Sequence, residues 1–468
     1  MFAHKIRLKL DKPTSDIIDK RMNVCRLIDN LFIGEMFRRV GLRNQSKTWQ
    51  NGIALKHLGR KKKEGNLLLS EASKKYACNI GYSYLLNGFG NKEFAHSWHL
   101  QHIAKTIVGL RGQNIVGNFK KWLIDHKGNP KKGKPRFNRF GDCRTVYGSL
   151  ATSKKTSGKI ILFNKDNGQI IWGGRGVDKI SLDCIIDPGD KNTQLALNST
   201  IKRVGITKEN NKYYGILICD TDPLVKGKYS PKTNNIVSFD IGIKDIAIVT
   251  SDGKTYKLPL LEGLKDSARE LNILARTIER RRRMANPQNY NENGTIKRGI
   301  RLTWNKTNNY LSALKKYKNL AYKQQQTRKN LHNNLIHWMM GLGNTFHFEK
   351  IDYRTWAKGL NKTQRRNMGL FSPGLFISLL KYNVLKYGLK IDEFSTYSTA
   401  CSKTCICGEK HNKKDDIYIC PVCGLAIDRD IKSAYLGLWV EEDKINHQRA
   451  KDNYDKFKER LNNFRTER

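Results

Sequence analysis

Hydrophobic positions change their spacing several times along the 468-residue chain. Over the first ten residues, MFAHKIRLKL, apolar and polar side chains alternate, which predicts a short strand. From about 14 to 125 the apolar residues recur at helical spacing, and Ser15 is the expected N-cap of the first helix. Between about 136 and 233 the period returns to two, in short runs separated by Gly, Asn and Asp. This pattern predicts a small antiparallel barrel or sandwich, which the opening strand could complete with the helices as an insertion.

The stretch 262 to 340 is helical in its periodicity, polar and strongly basic, and it predicts a helix hairpin that crosses the protein surface. An apolar stripe runs through its second half and is formed by Leu311, Leu314, Tyr317, Leu320, Leu331, Leu335 and Trp338. The final stretch, 440 to 468, is dense in charges of both signs. We expect it to be a solvated helix without a chemical role.

Residues 234 to 256, NNIVSFDIGIKDIAIVTSDGKTY, predict an antiparallel meander of short strands. The first turn is expected at Gly242 and the second at Asp252-Gly253, because Asp-Gly between extended runs is a strong hairpin signal. Asp240 interrupts the first apolar run near its end. A buried carboxylate without a partner is costly in free energy. On its own, Asp240 could equally cap a turn or pair with a nearby lysine.

Further acids occupy comparable positions. Glu349 ends the apolar part of NTFHFEKID, and Asp428 and Asp430 precede the amphipathic stretch IKSAYLGLWV. Acids at a helix start are common because they complement the helix dipole, which alone would explain Asp430. Asp240, Glu349 and Asp430 come from distant parts of the chain and together predict a site for divalent metal, since Mg²⁺ prefers carboxylate oxygens. Two Mg²⁺ ions there could activate water and stabilise the leaving oxygen of a phosphodiester.

Five of the ten cysteines lie between Cys401 and Cys423, and the others are scattered. The N-terminus lacks the apolar core of a signal peptide, so we expect reduced thiols in an intracellular compartment with one metal site. Cys420-Pro-Val-Cys423-Gly has the form of a zinc knuckle. In the other half one residue separates Cys405 from Cys407, and Cys401 could replace either. The expected ligands of a single structural Zn²⁺ are Cys405, Cys407, Cys420 and Cys423.

The chain carries 87 Lys and Arg against 42 Asp and Glu, a formal charge of +45. Such an excess predicts a polyanionic partner, and nucleic acid is favoured over a membrane because no apolar run approaches the ~18–20 residues that span a bilayer. The connector HKGNPKKGKPRF, 126 to 137, suits a loop along phosphates, or else is a solvated linker. The expected nucleic-acid contacts are Lys131, Lys132, Lys134, Arg136, Arg280, Arg281, Arg282 and Arg283.

The order of these features resembles a known family. SFDIGIKDIAIVTSDG, a basic helix hairpin, FEKID, and paired cysteines that run into DRDIKSAYLG follow one another as in compact RuvC-like nucleases. These are the transposon-encoded TnpB proteins and the miniature type V CRISPR effectors. The resemblance covers 234 to 440 and extends more loosely to the N-terminal half. It implies that Asp240, Glu349 and Asp430 are the catalytic acids, with Asp428 in reserve for the third.

The chain departs from the family pattern at a few positions. In the final motif of the family, D-x-N-A-A, the usual Asn and first Ala are replaced by Lys432 and Ser433. Lys350 stands where an acid is common. None of these changes removes a carboxylate from the implied triad.

The resemblance implies a multidomain α+β protein: a small antiparallel β-barrel with an inserted helical domain, followed by an RNase H-like (RuvC) α/β nuclease domain that a zinc ribbon interrupts. The implied domains are a wedge-type, oligonucleotide-binding-like barrel (1–14 and 136–233), a helical recognition domain with the basic connector (15–135), the first nuclease part (234–400, with the hairpin at 262–340), a zinc ribbon that binds target nucleic acid (401–424), and the final nuclease motif with a charged C-terminal helix (425–468).

The implied function is that of an RNA-guided, Mg²⁺-dependent DNA endonuclease in the prokaryotic cytoplasm. Its partners would be a guide RNA and target double-stranded DNA that carries a short flanking motif. No membrane partner is expected, and whether the protein forms a homodimer is left open. The chain length favours a CRISPR effector in antiviral defence over a transposon protein. Two alternatives stay open: a guided DNA-binding effector with little cleavage, and an unguided RuvC-like nuclease or resolvase.

Overall fold

The computed structural model describes residues 1–59, 61–78, 103, 105–123, 133–148, 160–174, 177–411 and 415–467. Lys131 and Lys132, which were expected to contact nucleic acid, lie outside these ranges. The chain forms two compact units, Met1–Leu224 and Val225–Arg468. Each unit combines helices with a β-sheet, so the predicted mixed α+β class is confirmed.

The helical part of the first unit comprises α1 (Lys12–Gln45), α2 (Lys47–His57), α3 (Lys62–Ser73), a π-helix (Lys74–Cys78) and α4 (Lys105–Leu123). The N-cap of α1 is Asp11, whose side chain accepts a hydrogen bond from the backbone N–H of Thr14, so the expected cap at Ser15 is wrong. The earlier start is compatible with Pro13, because a proline in the first turn lacks only an N–H that has no helical partner there.

Seven antiparallel strands form the sheet of the first unit, in the order β2-β6-β7-β1-β5-β4-β3. They are β1 (Phe2–Lys9), β2 (Thr145–Tyr147), β3 (Ile161–Asn164), β4 (Gln169–Gly174), β5 (Val177–Ile185), β6 (Ile201–Glu209) and β7 (Lys212–Cys219). The opening strand lies between β7 and β5, as the alternating pattern suggested. The short strand β2 and the helix α5 (Lys191–Asn198) had not been predicted. Trp172 of the sheet and Phe119 of α4 share one hydrophobic core.

The second unit is built on a five-stranded sheet of order β10-β9-β8-β11-β12. Its strands are β8 (Ile236–Ile241), β9 (Asp245–Thr250), β10 (Thr255–Pro259), β11 (Thr345–Lys350) and β12 (Lys390–Ser395). Strands β8, β9 and β10 form the predicted meander, and β11 runs parallel to both β8 and β12. The first turn closes where Gly242 N–H donates to the Asp245 carbonyl, and the second passes through Gly253 at a φ of +86°.

The basic hairpin consists of α6 (Ala268–Met284) and α7 (Asn308–Met340), which contact each other. The stretch 285–307 between them is not helical apart from a 3₁₀ turn, Pro287–Asn289, so helix does not continue through 262–340 as the periodicity suggested. The predicted stripe of α7 is buried only toward its C-terminal end: Leu335 is fully buried, whereas Leu311 is 43% exposed.

Further helices complete the second unit: α8 (Tyr353–Lys358), α9 (Lys362–Phe371), α10 (Pro373–Lys386), α11 (Thr396–Thr399), α12 (Arg429–Gly437) and α13 (His447–Asn462). Two small hairpins pair β13 (Ile417–Ile419) with β14 (Ala426–Asp428), and β15 (Val440–Glu441) with β16 (Lys444–Ile445). Residues of α7 and α10 share a core with one face of the large sheet. Residues of α12 and α13 share another core with Ala247, Val249 and Phe394 of that sheet.

The C-terminal helix is not the solvated element that its charge suggested. In α13, Ala450, Phe457 and Leu461 are buried. The ring of Phe457 lies 5.3 Å from that of Tyr435 in α12, and the Tyr435 hydroxyl donates to the Ala450 carbonyl. Three apolar positions spaced seven and four residues apart form one helical face, which is enough to anchor an otherwise charged helix.

One stretch of the described residues, Lys362–Lys386, is long and apolar enough to cross a membrane by length and composition alone, which corrects the expectation that no run of this kind exists. The chain bends inside this stretch, because Ser372 between α9 and α10 has a φ of +50°. Phe376, Leu380 and Val384 of α10 are buried in the core against the sheet. The apolar character of this stretch is therefore that of a core helix.

Candidate active site and cysteine cluster

Two of the three predicted acids lie side by side on neighbouring strands. Phe239 of β8 is the register partner of Phe348 of β11, and their rings stack 4.9 Å apart within the core shared with α7 and α10. Successive side chains of a strand point to opposite faces. Asp240 and Glu349, each the next residue along its strand, therefore share the opposite face, on which α12 packs.

Close packing holds α12 against this face. His347 Nδ1 lies 3.1 Å from the Gly437 carbonyl oxygen near the C-terminal end of the helix. A Cβ atom at Gly437 would collide with Ser238 Oγ, so a glycine is required there for this approach. Toward the N-terminal end, Ser433 lies close enough to Asp240 to lower the pKa of its carboxyl. The first turn of α12, which carries Asp430, thus lies over the carboxyl ends of β8 and β11.

The electrostatics of the carboxyl groups reflect this proximity. Burial, together with the negative charges of Glu349 and Asp430, raises the pKa of Asp240 to about 8, while Arg429 and the Ser433 hydroxyl act in the opposite direction. A nearby cation would be needed to keep Asp240 ionised at neutral pH. The structure thus brings Glu349 and Asp430 within electrostatic reach of Asp240, although the oxygen atoms of the three described acids do not all lie within 4.8 Å of one another.

The second acid is buried beside Cys401 and Thr396. Burial raises the pKa of Glu349, and this effect is opposed by the backbone N–H and thiol of Cys401 and by the Thr396 hydroxyl. Cys401 is fully buried, and burial together with the charge of Glu349 raises the pKa of its thiol. The Cys401 thiol therefore stays protonated and acts as a donor to Glu349.

Asp428 and Asp430 differ in what their oxygens contact. Asp428 is the N-cap of α12: its Oδ1 accepts from the backbone N–H groups of Asp430 and Ile431 at 3.0 Å each, and its Oδ2 lies 2.7 Å from Lys257 Nζ. Asp430 Oδ2 lies 3.1 Å from the same Nζ, and its Oδ1 lies 3.1 Å from Arg429 Nη2. Asp428 thus has a structural role, which supports Asp430 rather than the reserve residue as the third acid.

Two cations of the site, Lys257 and Arg429, had not been predicted from the sequence. Arg429 could have been found, because it stands between the two acids in DRD. Lys257 carries no local signal, because the order of the strands alone brings β10 to this place. Asp245 on β9 also had no signal; burial raises the pKa of its carboxyl, as does Asp430, while Lys257 and Lys244 lower it.

The four predicted zinc ligands come together. Within the described ranges, only Cys405, Cys407, Cys420 and Cys423 place their ligand atoms within 4.8 Å of one another. The Sγ atoms of Cys405 and Cys423 are 3.5 Å apart, and those of Cys407 and Cys420 are 3.7 Å apart. A tetrahedral Zn²⁺ with bonds of ~2.3 Å requires sulfur separations of about 3.8 Å. These cysteines could therefore hold one zinc ion.

Cys401 belongs to the carboxylate site and not to this cluster, so the alternative in which it replaces Cys405 or Cys407 is wrong. The single residue between Cys405 and Cys407 is accommodated by a tight turn in which Gly408 N–H donates to the Cys405 carbonyl, with Gly408 at a φ of +98°. A glycine adopts this backbone conformation without strain.

A buried lysine links the start of the cysteine segment to α12. Lys432 is fully buried, and its Nζ lies 2.7 Å from the Thr404 carbonyl, 3.0 Å from that of Cys401 and 3.1 Å from that of Ser402. The same Nζ is 3.5 Å from the ring centroid of Tyr418. Burial lowers the pKa of Lys432 to about 8. The residue that replaces the family's asparagine thus fixes the loop that presents Cys401 to Glu349.

The predicted nucleic-acid contacts differ in accessibility. Lys134 and Arg136 are exposed, with Lys134 Nζ 5.1 Å from the ring centroid of Phe37. Arg280 and Arg283 are exposed as well. The remaining two arginines hold the hairpin together: Arg281 donates to the Asn309 carbonyl, and Arg282 pairs with Glu279 and packs on Trp304.

Residues 374–436 match the family described as Cas12f1-like, TNB domain. The matched segment runs from α10 into α12, so it contains the four-cysteine cluster and Asp430. The match confirms the resemblance to the miniature type V CRISPR effectors and TnpB proteins.

Two solved structures align with 91% of this chain. One is a CRISPR-Cas12f ternary complex, at 14% identity, 85% coverage of that chain and a TM-score of 0.27. The other is a Cas12f1–sgRNA–target DNA complex, at 13% identity, 82% coverage of that chain and a TM-score of 0.40. At these TM-scores neither alignment carries an argument about this chain. The comparison with curated proteins gave no match.

Proposed function

We propose that this protein is an RNA-guided DNA endonuclease whose hydrolytic site is formed by Asp240, Glu349 and Asp430. The observation that carries the proposal is the register of β8 and β11, which sets Asp240 beside Glu349 under the first turn of α12. Acids from three distant segments at one edge of a sheet, in a chain of charge +45, suit hydrolysis of a nucleic-acid backbone.

The topology of both units supports the fold that goes with this function. A three-stranded meander followed by two strands parallel to its first strand agrees with the RNase H-like fold that the resemblance implies. In the first unit, a Cβ at Gly148, just after β2, would lie 2.9 Å from the Ile161 carbonyl oxygen of β3. Because β2 and β3 are the two outer strands in the sheet order, their approach supports a closed barrel.

The carboxylates suit Mg²⁺, because hard oxygen donors are its preferred ligands and a cation would offset the burial and the repulsion that together raise the pKa of Asp240. Bound by these acids, Mg²⁺ ions would activate a water molecule and stabilise the leaving oxygen of the phosphodiester. The chain itself orients the donors: the Phe239–Phe348 stack fixes the strands, and Cys401 and Thr396 lie beside Glu349 and lower the pKa of its carboxyl.

The proposed partners are a guide RNA and target double-stranded DNA. In this chain the excess of 45 positive charges favours a nucleic-acid duplex held through its phosphates, while base pairing with the guide would supply sequence specificity. The four-cysteine cluster would serve as a structural zinc ribbon beside the hydrolytic site.

The proposal is tested by purifying the full chain from cells that carry its native locus and sequencing the RNA that accompanies it. A discrete RNA species is expected: a repeat–spacer RNA for a CRISPR effector, or a transposon-end RNA for a TnpB-type protein. Purification without any discrete RNA, together with DNA cleavage by the RNA-free chain, would contradict guidance and leave an unguided nuclease.

A further inference from the structure

Lys257 lies in the same row of the large sheet as the first two acids. It is the register partner of Ala247 on β9, and Ala247 is the partner of Asp240 on β8. Because directly opposed residues share a face of a sheet, Lys257 and Asp240 point to the same side, separated by one small side chain. That side is the one on which α12 packs.

The ammonium group of Lys257 bridges the two acids at the start of α12. Its Nζ lies 2.7 Å from Asp428 Oδ2 and 3.1 Å from Asp430 Oδ2. The side chain of Lys257 is only 24% exposed, and that of Asp430 is 30% exposed, so the pair is partly shielded from water. On its other oxygen, Asp430 contacts Arg429. Both oxygens of the third acid are therefore already in contact with cations of the protein itself.

Because Lys257 also contacts Asp428, a metal ion could replace the ammonium group of Lys257 at Asp430. An ammonium group that loses its only partner in a partly buried place is strongly destabilised. Lys257 would keep its shorter contact, to Asp428, if it released Asp430. Asp428 in turn is held as the N-cap of α12 through its other oxygen, so it stays in place during such an exchange.

We propose that Lys257 is a built-in cation that competes with divalent metal for Asp430 and thereby lowers the metal affinity of the site. This inference rests on the proposed function, since it presupposes that Asp240 and Asp430 bind a metal ion. A simple positioning role, in which Lys257 holds Asp430 ready for the metal, makes the opposite prediction: removal of the lysine would then weaken metal binding.

The test uses Mn²⁺ as a spectroscopic substitute for Mg²⁺ and measures its affinity for the full, zinc-loaded chain by electron paramagnetic resonance. The site is identified as the Mn²⁺ binding that Asp240→Asn abolishes. Lys257→Gln removes the charge and keeps a hydrogen-bond donor for Asp428. Because a unit charge a few ångströms from a divalent ion acts through a reduced dielectric, we expect this variant to bind Mn²⁺ at least about tenfold more tightly.

Two control variants distinguish an effect of the Lys257 charge on Mn²⁺ affinity from a general effect on folding. Lys257→Arg keeps the positive charge and is expected to retain the wild-type affinity. Lys254→Met removes a lysine of the same hairpin that pairs with Asp252, and it too is expected to leave the affinity unchanged. Equal or weaker Mn²⁺ binding by Lys257→Gln at an Asp240-dependent site would overturn the inference and leave the proposed function intact. If neither the wild type nor Lys257→Gln had an Mn²⁺ site that depends on Asp240, both the inference about Lys257 and the proposed function would be overturned.

Discussion

Phe239 and Phe348 stack at a ring separation of 4.9 Å across two parallel strands, and this contact fixes which residues of β8 and β11 lie abreast. Each phenylalanine is followed directly by a carboxylate. A slip of one residue in either strand would turn that carboxylate toward the opposite core. The hydrophobic pair on one face of the sheet therefore determines the geometry of the acidic pair on the other.

Truncation of either phenylalanine of this pair should strongly destabilise the folded protein. Phe348→Ala removes a fully buried ring, and such substitutions cost about 3–5 kcal/mol of unfolding free energy because they leave a cavity. Denaturant unfolding measures the loss. Leu385→Ala, on the solvent-exposed side of α10, is the matched control and should cost less than about 0.5 kcal/mol. Similar losses for both variants would contradict the place given to Phe348.

The two aspartates of DRD should respond differently to amidation. Asp428→Asn keeps an oxygen that can cap α12 but removes the negative charge that would remain the partner of Lys257, so this variant should cleave DNA more slowly than wild type and lose no more than about 1 kcal/mol of unfolding free energy. Asp430→Asn removes a proposed metal ligand and should abolish cleavage without unfolding the protein. The cleavage rate and the unfolding free energy of each variant are measured on the same preparation. Loss of cleavage in Asp428→Asn with full activity in Asp430→Asn would exchange their roles.

The raised pKa of Asp240 predicts a pH dependence of stability. The folded protein holds this proton up to a pKa of about 8, whereas an unfolded aspartate releases it near ~3.9. The folded state thus binds the proton more tightly, and the stabilisation is complete below about pH 4 and lost as the pH rises toward 8. In buffers without Mg²⁺, Asp240→Asn should be more stable than wild type at pH 7, and the difference should close toward pH 4. Parallel stability curves for the two proteins would contradict this assignment.

The four-cysteine cluster predicts that substitution of a ligand cysteine, but not of Cys401, causes loss of zinc. Cys405→Ser removes a ligand and should leave the purified chain without stoichiometric zinc, because a structural site requires all four thiolates. Cys401→Ser, the matched control from the same segment, should retain one zinc per chain since Cys401 contacts Glu349 instead. Elemental analysis measures the zinc content per chain of both variants and of the wild type. Zinc loss in Cys401→Ser with zinc retention in Cys405→Ser would reverse the assignment.

Local patterns in the sequence were sufficient for much of this architecture. Alternating runs with Asp-Gly turns predict the meander around Asp240, and the spacing Cys-x-x-Cys-Gly predicts half of the zinc cluster. The short strand that carries Glu349 was visible because Phe346 and Phe348 mark a brief apolar stretch just before this acid. These signals are local: each depends on the period of a single strand or on one turn.

Features that depend on tertiary contacts could not be predicted in this way. Lys257 reaches Asp428 only because the sheet order places β10 near α12, 171 residues further along the chain. The burial of Phe457 depends on its contact with Tyr435, and the role of Cys401 depends on its contact with Glu349 near the end of β11. Charge alone gave no indication that Arg282 of α6 packs on Trp304 and pairs with Glu279.

Cleavage of a supercoiled plasmid by the guide-loaded chain in Mg²⁺ tests the central claim most directly. Asp240→Asn is predicted to retain binding of guide and target and to lose at least about a thousandfold in cleavage rate, because a proposed metal ligand has lost its charge. Asp252→Asn, on the same meander but paired with Lys254 away from the site, is the control and should cut like wild type. Undiminished cutting by Asp240→Asn would contradict the account.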